Sequence, residues 1–290
     1  MSKCLIAYFS QHGTTAQVAE RIAEGLRADQ YQVDLHSIKH DLPTPIDDYS
    51  LVGIGSPVYF CTTPLNVRAY LNNLPQLNGV PAFVFVLHGS EPGATSTMIR
   101  RTLVQKGARD LGFYRCFGAE LNYGFLNRGY LFSPGHPTTE ELAQAEVFGH
   151  QIAARAEGKP FAKPADDGPP RPAFRVLPSL ANPWLARHLL SRFFRADAGR
   201  CNHCGLCARL CPMGNITVGK DAPPVWGRHC LFCATCELMC PEEAVKSPLD
   251  SPVMERAMDL VAGQVLKDPT VDHARVALRR GRIERIDGQS

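Results

Sequence analysis

The stretch Lys3-Cys4-Leu5-Ile6-Ala7-Tyr8-Phe9-Ser10-Gln11-His12-Gly13-Thr14-Thr15 decides how the first half of this chain is read. Residues 3–9 are an apolar run of strand length. A polar turn with one glycine interrupts it. Val18, Ile22 and Leu26 then recur at i, i+4 spacing with charged residues between them, the pattern of an amphipathic helix. A buried strand, a glycine-containing turn and a helix N-terminus in succession make an anion site, because backbone N–H groups and the positive end of the helix dipole face the turn. Ser10, Thr14 and Thr15 add hydroxyl donors. One glycine is too few for a Walker loop or a dinucleotide fingerprint.

Outward from this stretch the pattern continues. Residues 31–35 and 51–55 read as second and third strands. The third runs into Gly55-Ser56-Pro57-Val58-Tyr59-Phe60-Cys61-Thr62-Thr63-Pro64, ahead of a helix with Val67, Tyr70, Leu71 and Leu74 on its apolar side. Residues 81–87 are almost unbroken apolar, as expected of a central parallel strand, and lead into His88-Gly89-Ser90-Glu91-Pro92-Gly93. A helix over 94–108, a fifth strand over 112–119 and a last helix over 138–157 complete the series. Alternating strands and helices predict a parallel sheet with right-handed crossovers. Ligands of such sheets bind at the carboxyl ends of the strands, where the strand order reverses. The polar loops after the first, third and fourth strands would meet there.

Residues 1–157 thereby resemble the flavodoxin-like fold, a doubly wound α/β fold with a five-stranded parallel sheet. The resemblance implies FMN as cofactor. It places Ser10, His12, Gly13, Thr14 and Thr15 around the phosphate, Ser56, Pro57, Val58, Tyr59 and Phe60 along the isoalloxazine ring, and His88, Gly89 and Ser90 in the second ring loop. Flavodoxins typically carry Thr-Gly-Asn-Thr where this chain has His12-Gly13-Thr14-Thr15, so an imidazole replaces a hydroxyl. No aromatic residue follows the fourth strand at once. Tyr59 or Phe60 would cover one flavin face, with Tyr123 and Phe125 as candidates for the other. His88 either helps to protonate a reduced flavin or is a satisfied polar side chain at a strand end. Cys61 is read as packing more readily than as a redox thiol, and Cys4 and Cys116 as small core residues.

The second half turns on Cys201-x2-Cys204-x2-Cys207-x3-Cys211-Pro212 and Cys230-x2-Cys233-x2-Cys236-x3-Cys240-Pro241, one unit written twice, 29 residues apart. Soft thiolates select zinc, copper(I) or iron–sulfur clusters. Zinc would leave a regularly spaced cysteine idle in each half, and disulfides need an oxidising compartment. Over residues 197–247 the chain resembles the bacterial two-cluster ferredoxins, which implies a small α+β domain with two [4Fe–4S] clusters. In that family the fourth cysteine of each motif ligates the other cluster. The resemblance therefore assigns Cys201, Cys204, Cys207 and Cys240 to one centre, and Cys230, Cys233, Cys236 and Cys211 to the other.

The chain thus divides into a flavodoxin-like domain (1–157), a linker (158–196), a ferredoxin-like domain (197–247) and a helical, Arg-rich extension (248–290). Prolines crowd residues 158–173 and predict a semi-rigid spacer. Between it and Cys201, Leu177, Leu180, Trp184, Leu185, Leu189, Leu190, Phe193 and Phe194, with Arg187, Arg192 and Arg195, suggest a helix that docks one domain on the other rather than on a membrane. Residues 121–137, rich in aromatics and glycine, are a lid over the flavin, a docking surface for the iron–sulfur module or an ordinary loop. Five arginines between Arg275 and Arg285 read as a solvated face.

A net charge of +3 gives no field that argues for nucleic acid, and no apolar run has spanning length. The many thiols and the absence of a leader pattern read as a reducing cytoplasm. The expected function is single-electron transfer between two [4Fe–4S] clusters and FMN, serving a redox partner protein or a small electron acceptor. The alternatives are a pure electron carrier without a substrate site, or an iron–sulfur protein whose flavodoxin-like domain has lost FMN and serves as a docking scaffold. No residue constellation names a substrate, and the sequence leaves enzymatic activity and oligomeric state open.

Overall fold

The computed structural model describes residues 2–38, 45–175, 177–180, 182, 184–185, 190–220 and 222–286. The chain forms two compact units. Residues 1–119 and 135–175 make the first, and residues 120–134 and 176–290 the second.

The first unit alternates strands and helices: β1 (Lys3–Tyr8), α1 (Thr14–Ala28), β2 (Gln32–Ser37), β3 (Leu51–Pro57), α2 (Leu65–Asn73), β4 (Pro81–His88), α3 (Thr95–Gln105) and β5 (Arg109–Phe117). Then come α4 (Tyr123–Leu126) and β6 (Tyr130–Phe132), which belong to the second unit, and α5 (Thr139–Ala156), which returns to the first. The five strands are parallel in the order β2-β1-β3-β4-β5. This is the doubly wound sheet that the pattern predicted.

Side chains alternate across the strands as the pleat requires. Cys4 and Ile6 of β1 join Phe83, Phe85 and Leu87 of β4 in a core roofed by Val18, Ile22 and Leu26 of α1 and by Phe148 and Ile152 of α5. Every residue from Ala82 to Leu87 is buried, which explains why β4 reads as a continuous apolar run. Helices α1 and α5 meet glycine to glycine. A Cβ on Gly25 would collide with the Glu146 carbonyl oxygen, and one on Gly149 with that of Ile22.

The proline-rich segment after α5 is anchored to this unit instead of swinging free. Asp167, with only 3% of its side chain exposed, accepts the Thr97 backbone N–H (3.1 Å) in the first turn of α3 and pairs with Arg115 (2.7 Å). Its carboxylate also takes the Ser96 hydroxyl. Asp166 pairs with Arg101 at 2.8 Å, and Arg171 with the buried Glu91 at 2.5 Å. Pro164 lies against Gly112, so the segment runs over β5, the last strand of the sheet. Covering an exposed edge is a usual way to keep it from pairing with another chain.

The second unit contains two short antiparallel ladders, β7 (Arg195–Ala196) with β10 (Val245–Lys246) and β8 (Ile216–Thr217) with β9 (Val225–Trp226). Each cysteine triplet feeds a short helix, α6 (Leu206–Leu210) or α7 (Thr235–Leu238). The extension is helical only over α8 (Pro252–Val265). Beyond it, β11 (His273–Arg279) and β12 (Arg282–Arg285) form a hairpin, and β6 pairs with β11 as a third strand.

Residues 120–134 are therefore built into this unit. Tyr123 and Phe125 are buried in its core: the Tyr123 hydroxyl donates to Asp250 (2.9 Å), and Phe125 packs edge-on against Phe132. Arg128 pairs with Asp259 (2.7 Å), and Arg275 stacks over the Tyr130 ring at 4.3 Å. Part of the arginine run is thus structural.

Of the segment expected to dock as a helix, Arg187 and Leu189 lie outside the described residues. Among the described residues the segment is helical at Leu177–Leu180 and at 184–185 and forms a 3-10 turn, Leu190–Phe193, with Trp184 exposed and Phe194 buried. Among the described residues no helix is long and apolar enough to cross a membrane.

Candidate functional site

The loops after β1, β3 and β4 lie side by side at the carboxyl ends of three adjacent strands. Backbone bonds lock them together: Phe9 N–H donates to Gly55 (3.0 Å), and Val58 N–H to Leu87 (3.0 Å). The Tyr59 hydroxyl donates to the Gln11 side chain, tying the second loop to the first, and the Tyr59 ring packs edge-on against Phe9 at 6.1 Å. The predicted motif contained Gln11 but gave it no role. No short-range signal would have found it, because its partner is 48 residues away.

In the first loop Gly13 adopts a left-handed conformation (φ 93°) at the cap of α1, and Ser10 Oγ accepts the Ala16 N–H at 3.2 Å. The first turn of α1 holds no acidic residue, so nothing there opposes an anion. Thr15 is buried. Burial lowers the pKa of His12, which favours a neutral imidazole.

The second loop closes tightly. Tyr59 and Thr62 exchange backbone hydrogen bonds (2.9 and 3.0 Å) around Phe60 and Cys61, both at positive φ. Two left-handed non-glycine residues in succession are costly, and such strain persists only where surroundings over-determine it. Arg68 provides part of that constraint by donating to the Thr63 carbonyl (2.8 Å) and the Thr62 hydroxyl (2.7 Å). A Cβ on Gly93 would collide with the Cys61 carbonyl oxygen, so the loop after β4 also braces this turn. Ser56 is fully buried beneath it.

In the third loop Ser90 is buried and His88 packs on Phe117 at 4.6 Å. Burial, with Arg115 nearby, pushes the His88 pKa down to about 4. His88 is thus neutral near pH 7 and holds no imidazolium proton to give a flavin. Its Nδ1 and the Thr63 Oγ1 are buried without a hydrogen-bond partner among the described residues. Two orphaned polar atoms, in the loop after β3 and at the end of β4, fit a polar ligand that would satisfy them. The donor set suits a phosphate at α1 and a ring system along Tyr59. Tyr123 and Phe125, expected as candidates for the second flavin face, are instead engaged in the second unit's core. Cys4 and Cys116 are core residues, and burial raises both thiols, Cys116 to about 12.

In the second unit Cys201, Cys204, Cys207 and Cys240 line one recess, with apolar walls that include Leu206, Pro224 and Val245. Cys211, Cys230, Cys233 and Cys236 line another, walled by Phe194, Ile216 and Leu231. Backbone N–H groups point at the sulfurs: Asn215 donates to Cys211, Phe232 to Cys230 and Ala244 to Cys240, each at 3.3 Å. Four thiols around an apolar recess, with amides aimed at them, suit a cluster that carries negative charge. Among the described residues no three His, Cys, Asp or Glu close on a point as one small ion would require.

Comparisons with known proteins follow the same division. The flavodoxin domain family matches residues 5–129, and the 4Fe–4S binding domain family matches residues 195–217. The chain is 31% identical over 154 residues to an uncharacterized protein of Methanocaldococcus jannaschii, covering 52% of this chain and 97% of that one. It is 22% identical over 180 residues to an NAD(P)H dehydrogenase (quinone) of Acidovorax ebreus, covering 55% and 86%. Oxidised flavodoxin 2 from Bacillus cereus aligns with a TM-score of 0.44 and 21% identity over 53% of this chain and 99% of that one.

Proposed function

This chain belongs to the flavodoxin-domain family, carries a 4Fe–4S binding domain behind that domain and is an electron-transfer protein; from that premise we propose that it moves single electrons between two [4Fe–4S] clusters and one FMN. The observation that carries this reading is the pair of cysteine-lined recesses, each with four thiols, in a chain that also has a phosphate-type loop.

Bound FMN would exchange one or two electrons and each cluster one, which is the chemistry these groups supply. The chain's own residues do the rest. The N-terminus of α1, Gly13 and the hydroxyls of Ser10, Thr14 and Thr15 would hold the phosphate, with neutral His12 donating an N–H where flavodoxins offer a hydroxyl. Ser56, Pro57, Val58, Tyr59 and Phe60 would line one side of the ring system, and His88, Gly89 and Ser90 its edge. The braced turn at Phe60 and Cys61 fixes the Tyr59 ring before the ligand arrives. Cys201, Cys204, Cys207 and Cys240 would hold one cluster, and Cys211, Cys230, Cys233 and Cys236 the other. Apolar side chains wall both recesses, with Cys204 left exposed in the first, and backbone amides would stabilise the sulfurs' charge.

A partner protein or a small acceptor would complete the circuit in a reducing compartment. A quinone is the small acceptor to try first, because the relative in Acidovorax ebreus is named for it. The test is cofactor content on protein purified without oxygen. About eight iron and one FMN per chain are expected, as two cubanes and one flavin site require. Eight iron with no FMN, even after incubation with excess flavin, would overturn the flavin half and favour the docking-scaffold reading. Rapid reoxidation by a quinone, against slow reoxidation without it, separates an enzyme from a pure carrier.

A further inference from the structure

The cysteine unit repeats at 29 residues, and its two halves differ at one position of the repeat and one position of the ladders, both in the wall of one recess. Asn215 stands four residues after Cys211, and the matching residue after Cys240 is Ala244. Their backbones behave alike, each N–H donating to its cysteine at 3.3 Å. In the ladders, Trp226 stands opposite Ile216, whereas Ala196 stands opposite Val245. The Cys211–Cys230–Cys233–Cys236 recess thus gains two side-chain N–H groups where the matching positions of the other half carry methyl groups.

Asn215 Nδ2 has no acceptor among the described residues, and the Trp226 side chain is turned toward the Cys236 sulfur. Asn215 Oδ1 accepts the His229 backbone N–H at 2.7 Å. That bond decides which way round the amide sits, and Nδ2 is the atom left over, buried and unpaired. Trp226 Nε1 is buried too, and its N–H acts on the Cys236 sulfur, one of the four thiols of this recess. The indole stacks on Phe194 at 5.8 Å, which holds its N–H in the recess wall. Buried N–H groups rarely go unsatisfied, so the orphaned Asn215 Nδ2 beside an indole N–H already turned to a ligand sulfur implies an acceptor that belongs inside. Cluster sulfurs are such acceptors.

We propose that Trp226 Nε1–H and Asn215 Nδ2–H donate hydrogen bonds to the sulfur atoms of the cluster held by Cys211, Cys230, Cys233 and Cys236, and so raise its reduction potential. This rests on the two-cluster reading above. Reduction adds negative charge to the cluster, so a fixed donor stabilises the reduced form more than the oxidised one. The two centres are therefore inequivalent by design of the wall, although their ligand spacings are identical.

The test is a potentiometric titration of the full chain, purified without oxygen and followed by electron paramagnetic resonance. Trp226→Phe keeps the ring and removes the N–H; Asn215→Ala removes the amide. Each is expected to move one of two cluster midpoints to lower potential and leave the other in place. Both midpoints unmoved, or both moved together, would overturn the proposal. A second measurement needs no change at Trp226. With the only other tryptophan removed (Trp184→Phe) and the indole labelled with nitrogen-15, pulsed resonance on the reduced protein should detect that nitrogen at one cluster. No coupling would overturn the Trp226 bond even if the variants lose iron. Fewer than two clusters in the unaltered chain would instead overturn the reading on which the proposal rests, and iron content shows that before any substitution.

Discussion

At the scale of single residues, Cys211 and Cys240 bind the two halves of the iron–sulfur unit together. Each lines the recess of the opposite triplet. A paired substitution reads this directly: on the proposed reading both residues would serve one cluster, so Cys201→Ser with Cys240→Ser is expected to leave about four iron per chain. Ligation confined to each half would lose both clusters and leave none. His88 makes a different kind of prediction. Its folded pKa, about 4, lies below the ordinary 6.5, so the unfolded chain binds the extra proton first. Stability is fully present above pH 6.5 and declines as pH falls toward 4, by up to about 3 kcal/mol from this residue. Urea unfolding midpoints at pH 7 and pH 4.5 should therefore converge in His88→Gln relative to the unaltered protein.

At the scale of elements, the strands and helices of the first unit were legible because their hydrophobic periods are strong. β4 is apolar throughout and α1 keeps a clear i, i+4 stripe. The segment after α5 was read as a spacer because prolines forbid regular structure. Prolines do not forbid anchoring, and the anchor is made by side chains whose partners lie 52 to 80 residues away: Asp167 with Ser96, Thr97 and Arg115, and Arg171 with Glu91. Asp167→Ala removes the carboxylate that serves the first turn of α3. The expected loss is about 1–2 kcal/mol, in the range of a lost helix cap. A lowered urea midpoint and faster proteolysis within residues 159–171 would show it; unchanged proteolysis would mean that the prolines alone hold the segment. The three flavodoxin-type loops were legible in the same way, each lying between a strand and a helix. The brace from Arg68 and Gly93 was not, because it depends on how neighbouring loops pack.

At the scale of the whole molecule, the chain passes from the first unit to the second, back, and across again, at residues 119/120, 134/135 and 175/176. The iron–sulfur unit is therefore not a module that begins after the linker. Its three-stranded sheet takes β6 from residues that precede α5, and Tyr123, Phe125 and Phe132 supply part of its core. Replacing residues 120–134 with a short glycine–serine link is expected to abolish iron binding in the second unit, although no cysteine is touched. Retention of about eight iron per chain would show that the cysteine segment folds without it. Three connections also limit how far the units can be separated by proteolysis. A single cut in the linker should leave them joined through residues 120–134.

The sequence by itself determined the sheet and the succession of a flavodoxin-type domain and a 4Fe–4S binding domain. Cysteine spacing, the strand–loop–helix at residues 3–26 and the buried run of β4 are local patterns, and local patterns carry their own geometry. Only the tertiary structure decided where residues 120–134 belong, that the proline segment is strapped down and that Trp226 and Asn215 bring side-chain N–H groups to the wall of one recess. The physical reason is the same in each case. A strand does not specify its partner, a carboxylate does not name its cation, and a buried N–H reveals its missing acceptor only when everything around it has been placed.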